Sequence, residues 1–141
     1  MIGRERTELI CELMNTLPEG HWVCHGDFHP DNILMTKDQS VTIDWTNANM
    51  GDPMCDVART LLMLRSPCNP PGTPRMQKLL LRVFRTILHR AYLNEYCRCS
   101  NIRADSIDRW ILPVAAARLR ERVPGEEAWL LHLINHRLQY M

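Results

Sequence analysis

A short hairpin pattern with polar residues on both sides is the feature that most limits how this chain can fold. Residues 33–36 (Ile-Leu-Met-Thr) and 41–43 (Val-Thr-Ile) are strand-like runs, and residues 37–40 (Lys-Asp-Gln-Ser) have the length of a hairpin loop. A polar run, residues 25–32, precedes the first strand, and Asp44 follows the second. Because a hairpin returns the chain on itself, Asp44 is expected to lie beside residues 25–32.

Helical patterns account for most of the remaining chain. Residues 21–24 are strand-like, residues 47–53 are interpreted as irregular, and the Pro-rich segment 66–74 cannot be helical. The spacing of apolar residues predicts helices over residues 4–17, 55–64, 75–97, 106–122 and 126–138, with a break or kink in the fourth near Pro113. The expected fold class is α+β, mostly helical, with the hairpin near the front.

Length and composition are those of one globular unit. The chain has 141 residues, 45% of them hydrophobic and 23% charged, against about 150 residues for a typical domain. No stretch approaches the roughly 18 apolar residues of a membrane span, and the N-terminus lacks the apolar region of a secretory signal. We therefore expect a cytoplasmic protein that has no membrane partner and whose six cysteines are reduced.

Charge differs between the two halves of the chain. Residues 1–70 contain five Lys/Arg and ten Asp/Glu, whereas residues 71–141 contain twelve and six. The acidic excess coincides with the polar run and Asp44, as expected for a site that holds divalent cations. The basic stripe Lys78, Arg82 and Arg85 is interpreted as a solvated helix face, so no nucleic-acid partner is expected.

The polar run has the residue types that phosphoryl transfer requires. Residues 25–32 match the pattern H-x-D-x-x-x-x-N, in which the aspartate accepts the proton of the attacking hydroxyl and the asparagine carbonyl binds a metal ion. Asp44 follows a hydrophobic strand, where a second metal ligand is expected. Hard oxygen ligands of this kind suit Mg²⁺. Turn and cap roles for Asp27, Asn32 and Asp44 are the structural alternative.

Three elements in order resemble the aminoglycoside phosphotransferase and choline kinase-like family, whose fold is related to that of protein kinases. They are H-G-D-x-x-x-x-N at residues 25–32, I-D-W at 43–45 and G-D-P-x-x-D-x-A at 51–58. The resemblance implies that Asp27 is the catalytic base in a loop that begins at His25. It implies that Asn32 and Asp44 bind Mg²⁺ and, with it, ATP or GTP. Asp56 and Gly51 belong to the third element, and the resemblance implies that they support the loop.

Part of the family pattern is missing from this sequence. No Gly-rich phosphate loop and no strand lysine that would pair with the α- and β-phosphates is recognisable. Residues 1–141 are therefore expected to form a kinase-like C-terminal lobe, with the N-terminal nucleotide lobe absent. Apolar surface near the hairpin would then be exposed, and the chain is expected to self-associate or to be marginally stable unless a partner covers that surface.

The predicted function is transfer of the γ-phosphate of ATP or GTP to a hydroxyl of a small molecule. The main alternative is a non-catalytic lobe that binds a ligand or a protein. A metal-dependent hydrolase that uses Asp27, His29 and Asp44 is a third interpretation, which leaves the G-D-P-x-x-D-x-A element unexplained. His132 and His136 have the spacing of helix-borne zinc ligands but are interpreted as ordinary helix residues.

Overall fold

The computed structural model describes residues 2–140, and most of them are helical. The α-helices are α1 (Arg4–Asn15), α2 (Pro53–Arg65), α3 (Arg75–Ser100), α4 (Ala104–Leu119) and α5 (Glu127–Leu138). The strands are β1 (Trp22–Cys24), β2 (Ile33–Met35), β3 (Ser40–Thr42) and β4 (Asn49–Gly51). Short 3₁₀ turns cover Pro30–Asn32 and Trp45–Asn47. None of the helices between residues 2 and 140 is both long and apolar enough to cross a membrane.

The predicted hairpin is confirmed. Strands β2 and β3 pair antiparallel, with Ile33 opposite Thr42 and Met35 opposite Ser40. The loop is closed by the side chain of Thr36, whose hydroxyl donates a hydrogen bond to the carbonyl oxygen of Gln39 at 3.2 Å. The last residue before Asp44 is therefore held beside the polar run.

The irregular structure expected for residues 47–53 is wrong in part. Within that segment β4 pairs antiparallel with β1, with Val23 opposite Met50. Asn and Gly have low strand propensity, so the local sequence gives no sign of a strand there. Backbone hydrogen bonds to β1 form the strand, and only the tertiary structure supplies that partner.

The hydrophobic core lies where α2 packs against α4, and α5 and α1 also pack against α4. Ala58 of α2 and Ala115 of α4 are completely buried, and such small residues let two helices approach closely. Large apolar side chains fill the space around them, among them Leu62, Ile107, Leu130 and Ile134. This core fixes the direction of α2, whose N-terminal turn contacts the polar run of residues 25–32.

Of the break or kink predicted near Pro113, the break is wrong, because α4 continues as one helix through Pro113. A proline inside a helix costs about 3 kcal/mol, since it removes a backbone hydrogen bond. Pro113 and its neighbours Leu112, Val114 and Ala115 are all buried in the core. Packing of this helix segment against its neighbours therefore outweighs the local cost.

A buried ion pair joins the end of α4 to the start of α5. Arg118 donates from Nε to one carboxylate oxygen of Glu126 at 2.7 Å and from Nη2 to the other at 2.8 Å. Glu126 is only 1% exposed. Because each charge has lost its water, each depends on the other for compensation.

Arg118→Met is predicted to lower the free energy of unfolding by about 3 kcal/mol, because it leaves the Glu126 carboxylate buried and unpaired. Urea denaturation measures the change. Arg120→Met, at an exposed position two residues later, is the matched control and should change stability by less than about 0.5 kcal/mol. Equal stability of the two variants would contradict a structural role for the pair.

Large apolar side chains on the two small sheets face solvent, in agreement with the sequence expectation. Trp22, Val23, Met35 and Met50 are each more than two thirds exposed. Val23 and Met50 lie opposite each other across β1 and β4, and contiguous exposed apolar side chains are typical of interaction surfaces.

The chain is therefore predicted to self-associate with rising concentration through this surface. Sedimentation velocity measures the association. Val23→Lys should weaken it by about tenfold, because a lysine placed at the contact must be desolvated. Gln39→Lys, in the exposed hairpin loop, adds the same charge elsewhere and should leave it unchanged. A monomer at all concentrations would exclude this role for the surface.

Candidate active site

The polar run 25–32 is fixed to the first turn of α2 by one carboxylate. Asp56 accepts the backbone N–H of His25 through Oδ2 and the backbone N–H of Gly26 through Oδ1, both at 2.8 Å. The N-terminal turn of a helix favours a negative charge, so Asp56 is well placed there. Helix α2 begins cleanly because Asp52 caps it, accepting the N–H of Met54 at 2.8 Å.

A second contact comes from Thr60, one turn further along α2. Its hydroxyl donates to the carbonyl oxygen of Phe28 at 2.9 Å, and the residue is buried. The sequence interpretation did not include Thr60. A signal was present, because positions four apart on a helix share a face and Asp56 had been assigned to support the loop.

Gly26 is required by the shape of this loop. Its φ is +77°, a conformation that residues with side chains rarely adopt. A Cβ at this position would also collide with the carbonyl oxygen of Asn47. Gly51 is different, since a Cβ there would make only ordinary contacts, the nearest 3.4 Å from the Asn49 side chain. Any support that Gly51 gives the loop comes from its backbone in β4.

His25 connects the polar run to the strand that precedes Asp44. Its Nδ1 accepts the backbone N–H of Asp27 at 3.2 Å, so Nε2 carries the proton and donates to the carbonyl oxygen of Ile43 at 2.9 Å. The residue is buried, and the ring of Trp45 lies 4.6 Å from its ring. Both ring nitrogens are occupied, which is the geometry of a residue that positions the loop.

Asp44 is brought to the polar run through Ile43. The N–H of Ile43 donates to the carbonyl oxygen of Asn32 at 2.9 Å, in addition to the bond between the Ile43 carbonyl and His25. Asp44, the next residue, has a left-handed backbone with φ 60° and ψ 62°. This conformation is sparsely populated outside glycine and is found at functional sites. Thr46 donates to Asp44 Oδ1 at 2.7 Å.

Asn32 is buried with its amide nitrogen directed into the loop. Nδ2 donates to the carbonyl oxygen of Asp27 at 2.9 Å and lies 3.3 Å from Nε2 of His29. Its carbonyl oxygen Oδ1 makes no hydrogen bond within residues 2–140. The side chain therefore presents an oxygen, and not a nitrogen, to a ligand.

The carboxylate of Asp27 is one quarter exposed and has two basic neighbours. His29 Nε2 lies 3.6 Å from Oδ2, and Arg59 Nη2 lies 3.8 Å from Oδ1. Both distances exceed those of ordinary hydrogen bonds. The two carboxylate oxygens thus remain available to a hydroxyl group.

Arg59 of α2 is a site residue that the sequence interpretation missed. It forms a bidentate ion pair with Glu121 and extends toward Asp27. Burial opposes its charge, but the hydrogen bond and charge of Glu121 outweigh burial and raise the pKa of Arg59. Because Glu121 lies beyond the end of α4, sequence spacing gives no indication of this pairing.

Two thiol groups and one phenol group near the loop, those of Cys24, Cys55 and Tyr92, remain neutral. Burial, followed by the charges of Asp56 and Asp52, raises the pKa of Cys24. Burial together with the neighbouring Cys24 raises the pKa of Cys55 to about 11, and burial raises that of Tyr92 to about 12. All six cysteines are free thiols, as expected. None of these three groups is a reactive nucleophile at neutral pH.

The oxygen atoms at this site fit a hard divalent cation. Within residues 2–140 no three His, Cys, Asp or Glu side chains cluster closely enough to hold a metal by themselves, and this includes His132 and His136. Mg²⁺ in phosphoryl-transfer sites is held by one or two protein groups together with phosphates and water. Asn32 Oδ1 and the Asp44 carboxylate meet that lower requirement.

A loop aspartate, an asparagine oxygen and an aspartate after a following strand are the groups that kinase-like phosphotransferases use. The comparisons with known proteins agree. The sequence profile of the phosphotransferase enzyme family (APH) matches residues 4–93, which is more than half of the chain. The chain belongs to this family, and the resemblance drawn from the three sequence elements is confirmed.

A curated relative is acyl-CoA dehydrogenase family member 10 of Mus musculus. It is 33% identical over 95 residues, an alignment that covers 61% of this chain. The same alignment covers 8% of the mouse protein, so the chain spans a small part of that relative. No solved structure matches the chain.

Asp56→Asn is predicted to destabilise the loop. The side-chain NH₂ group of asparagine would face the backbone N–H of His25 or Gly26, and one of these two hydrogen bonds would be lost. The expected loss is about 2 kcal/mol in the free energy of unfolding. Hydrogen exchange at the amides of His25 and Gly26 should also accelerate, and NMR measures both amides directly. Asp38→Asn in the exposed hairpin loop makes the same chemical change and should have no effect. Unchanged exchange at both amides would rule out the proposed anchoring.

Proposed function

We propose that this chain is the C-terminal, catalytic lobe of a kinase-like phosphotransferase that moves the γ-phosphate of ATP or GTP to a hydroxyl of a small molecule. One observation carries the proposal. Ile43 is hydrogen-bonded through its N–H to Asn32 and through its carbonyl to His25, so Asp44 adjoins the loop that contains Asp27. Family membership supports the reaction class.

Asp27 is proposed as the general base. It would accept the proton of the acceptor hydroxyl while that oxygen bonds to the γ-phosphorus. The bond from the γ-phosphorus to the bridging oxygen breaks, and ADP or GDP leaves. His29 and Arg59 flank the Asp27 carboxylate without blocking either oxygen. His25 would act on this step indirectly, by holding the backbone of Asp27.

Asn32 and Asp44 are proposed to hold Mg²⁺ through Oδ1 and a carboxylate oxygen, respectively. The ion supplies positive charge that offsets the negative charge of the nucleotide phosphates. Asn32 is fixed for this role because its amide nitrogen is bonded to the Asp27 carbonyl. Thr46 orients Asp44 by donating to one oxygen, which leaves the second oxygen available.

The acceptor is proposed to be neutral or mildly polar. Residues 71–141, which include helices α3, α4 and α5, contain twelve Lys/Arg and six Asp/Glu. A polycationic acceptor would meet like charge on these helices, which raises the free energy of binding. A small neutral molecule that carries a hydroxyl group would not.

Binding without transfer is the second candidate function. The exposed apolar side chains on β1, β2 and β4 favour it, because they mark a surface that takes a partner. This candidate predicts nucleotide or partner binding with no phosphorylated product. Transfer assays on the intact enzyme distinguish the two candidates.

Asp27→Ala in the intact enzyme is predicted to reduce kcat by at least about 100-fold, since a general base contributes that much or more. Phosphate transfer from ATP or GTP to a panel of small hydroxyl compounds measures it. Asp31→Ala is the control, because Asp31 lies in the same loop with its side chain almost fully exposed. Circular dichroism checks that both variants fold. Normal turnover in Asp27→Ala would refute the base assignment.

The proposed metal ligands can be tested by metal binding, without measuring enzymatic turnover. Mn²⁺, a paramagnetic substitute for Mg²⁺, should broaden the NMR signals of the Asn32 side-chain amide and the Asp44 backbone amide. Asp44→Asn should weaken Mn²⁺ binding at least about tenfold in the presence of nucleotide, because it removes a ligand charge. Asp38→Asn is the matched control. Broadening confined to other residues would show that the ion binds elsewhere.

A further inference from the structure

A cavity of 740 Å³ lies between the C-terminal end of α2 and the N-terminal half of α3. It is walled by the loop that follows α2 and by Trp129 of α5. Its volume is typical of small-molecule sites, which span about 300–1,000 Å³. Basic side chains dominate the lining, and no acidic residue contributes to it: Arg65, Lys78, Arg82, Arg85, His89 and Arg90.

These cations form no salt bridge within residues 2–140, whereas Arg59, Arg118 and Arg137 each pair with an acidic side chain. Five Lys and Arg side chains line the cavity, and the charge of Asp108 offsets part of the charge of Arg65. The mutual repulsion of the cavity cations is therefore compensated only in part. An anion in the cavity would compensate it.

One basic side chain of the wall, that of Arg85, is held in place by the fold, whereas Arg65, Lys78, Arg82 and Arg90 are exposed. Arg85 donates from Nη1 to the carbonyl oxygens of Ser66 at 2.9 Å and Cys68 at 2.6 Å, which fixes the loop after α2 against α3. Its Nη2 and Nε groups make no hydrogen bond to residues 2–140 and remain for a ligand. Burial, then the charges of Arg65 and Arg90, lowers the pKa of His89, as a positive potential inside the cavity requires.

We propose that this cavity binds a small molecule that carries two or more phosphate groups. Planar guanidinium groups match phosphate oxygens in bidentate geometry, and several of them converge here. Leu79 and Trp129 supply an apolar wall for the rest of such a ligand. A single monoanion would leave most of the cavity's positive charge uncompensated.

The cavity is distinct from the candidate active site. Helix α2 has 13 residues, so its two ends are about 20 Å apart at 1.5 Å per residue. Asp56, in its first turn, holds the loop of Asp27, whereas Arg65, its last residue, lines the cavity. The proposal therefore does not depend on phosphate transfer at Asp27.

Titration of this chain with tripolyphosphate tests the proposal. Chelator is present to remove divalent cations, and the ionic strength is about 0.15 M, so that loose surface attraction is screened. Trp129 in the wall gives an intrinsic fluorescence signal, and calorimetry measures the affinity. Saturable binding is expected.

Arg82→Gln should weaken this binding at least about tenfold, the effect of losing one charge-assisted contact. Arg82 makes no side-chain bond to the wall, so its removal leaves the cavity intact. Arg103→Gln is the matched control, since Arg103 is exposed and paired with Asp105 outside the cavity. Equal affinity of the two variants, or no saturable binding by the unmodified chain, would overturn the proposal.

His89 gives a second readout. A bound polyphosphate offsets the charges of Arg65, Arg82, Arg85 and Arg90, so the pKa of His89 should rise on binding, and NMR titration of the ring measures it. An unchanged His89 pKa at saturation would place the ligand elsewhere. Vesicles that contain phosphatidylinositol bisphosphate distinguish the source of the phosphates. Tighter binding to the vesicles than to tripolyphosphate identifies a lipid headgroup, and displacement of the chain from the vesicles by tripolyphosphate identifies a free ligand.

Discussion

The contact between the Asp56 carboxylate and the backbone N–H groups of His25 and Gly26 is the interaction on which the candidate site depends. It transfers the rigidity of α2, packed in the core against α4, to a loop that has no regular structure of its own. Thr60 adds a second fixed point at Phe28. Without these contacts nothing described would hold Asp27 and Asn32 in fixed positions over the helical core.

Features that depend on residues close together in the sequence were predicted, whereas features that depend on distant residues were not. The hairpin, the helices and the polar run depend on local spacing and turn chemistry, and all appear near their expected positions. Strand β4 and the unbroken helix through Pro113 depend on partners distant in sequence, and both were mispredicted. Arg59 was missed for the same reason, since its role rests on contacts with Glu121 and Asp27. Asp27, Asn32 and Asp44 were predicted as site residues because their residue types and order carry chemical meaning, and the structure places Ile43, the residue before Asp44, beside the loop of the other two.

Helix α3 shows a limit of periodicity as a guide to burial. The sequence predicts an apolar face on this helix, yet the large side chains of that face are half or more exposed: Met76, Leu80, Val83, Phe84 and Ile87. The opposite face, with Arg85 and Tyr92, turns toward the protein. Periodicity establishes that a helix has two faces, but neighbouring elements decide which one is covered. Of the basic residues interpreted as a solvated face, Lys78 and Arg82 are exposed as expected, and Arg85 lies against the loop that follows α2.

The two hydrogen bonds of Ile43 have a consequence for motion. Because one residue is tied to Asn32 through its N–H and to His25 through its carbonyl, the hairpin cannot swing away without breaking contacts in the polar run. Asp44, proposed to bind the metal ion, is therefore linked by these hydrogen bonds to the loop that contains Asp27 and Asn32. Under the proposed function, a cation bound by Asn32 and Asp44 would reduce the thermal displacement of the Asp27 carboxylate. The loop would then become more ordered when the nucleotide binds.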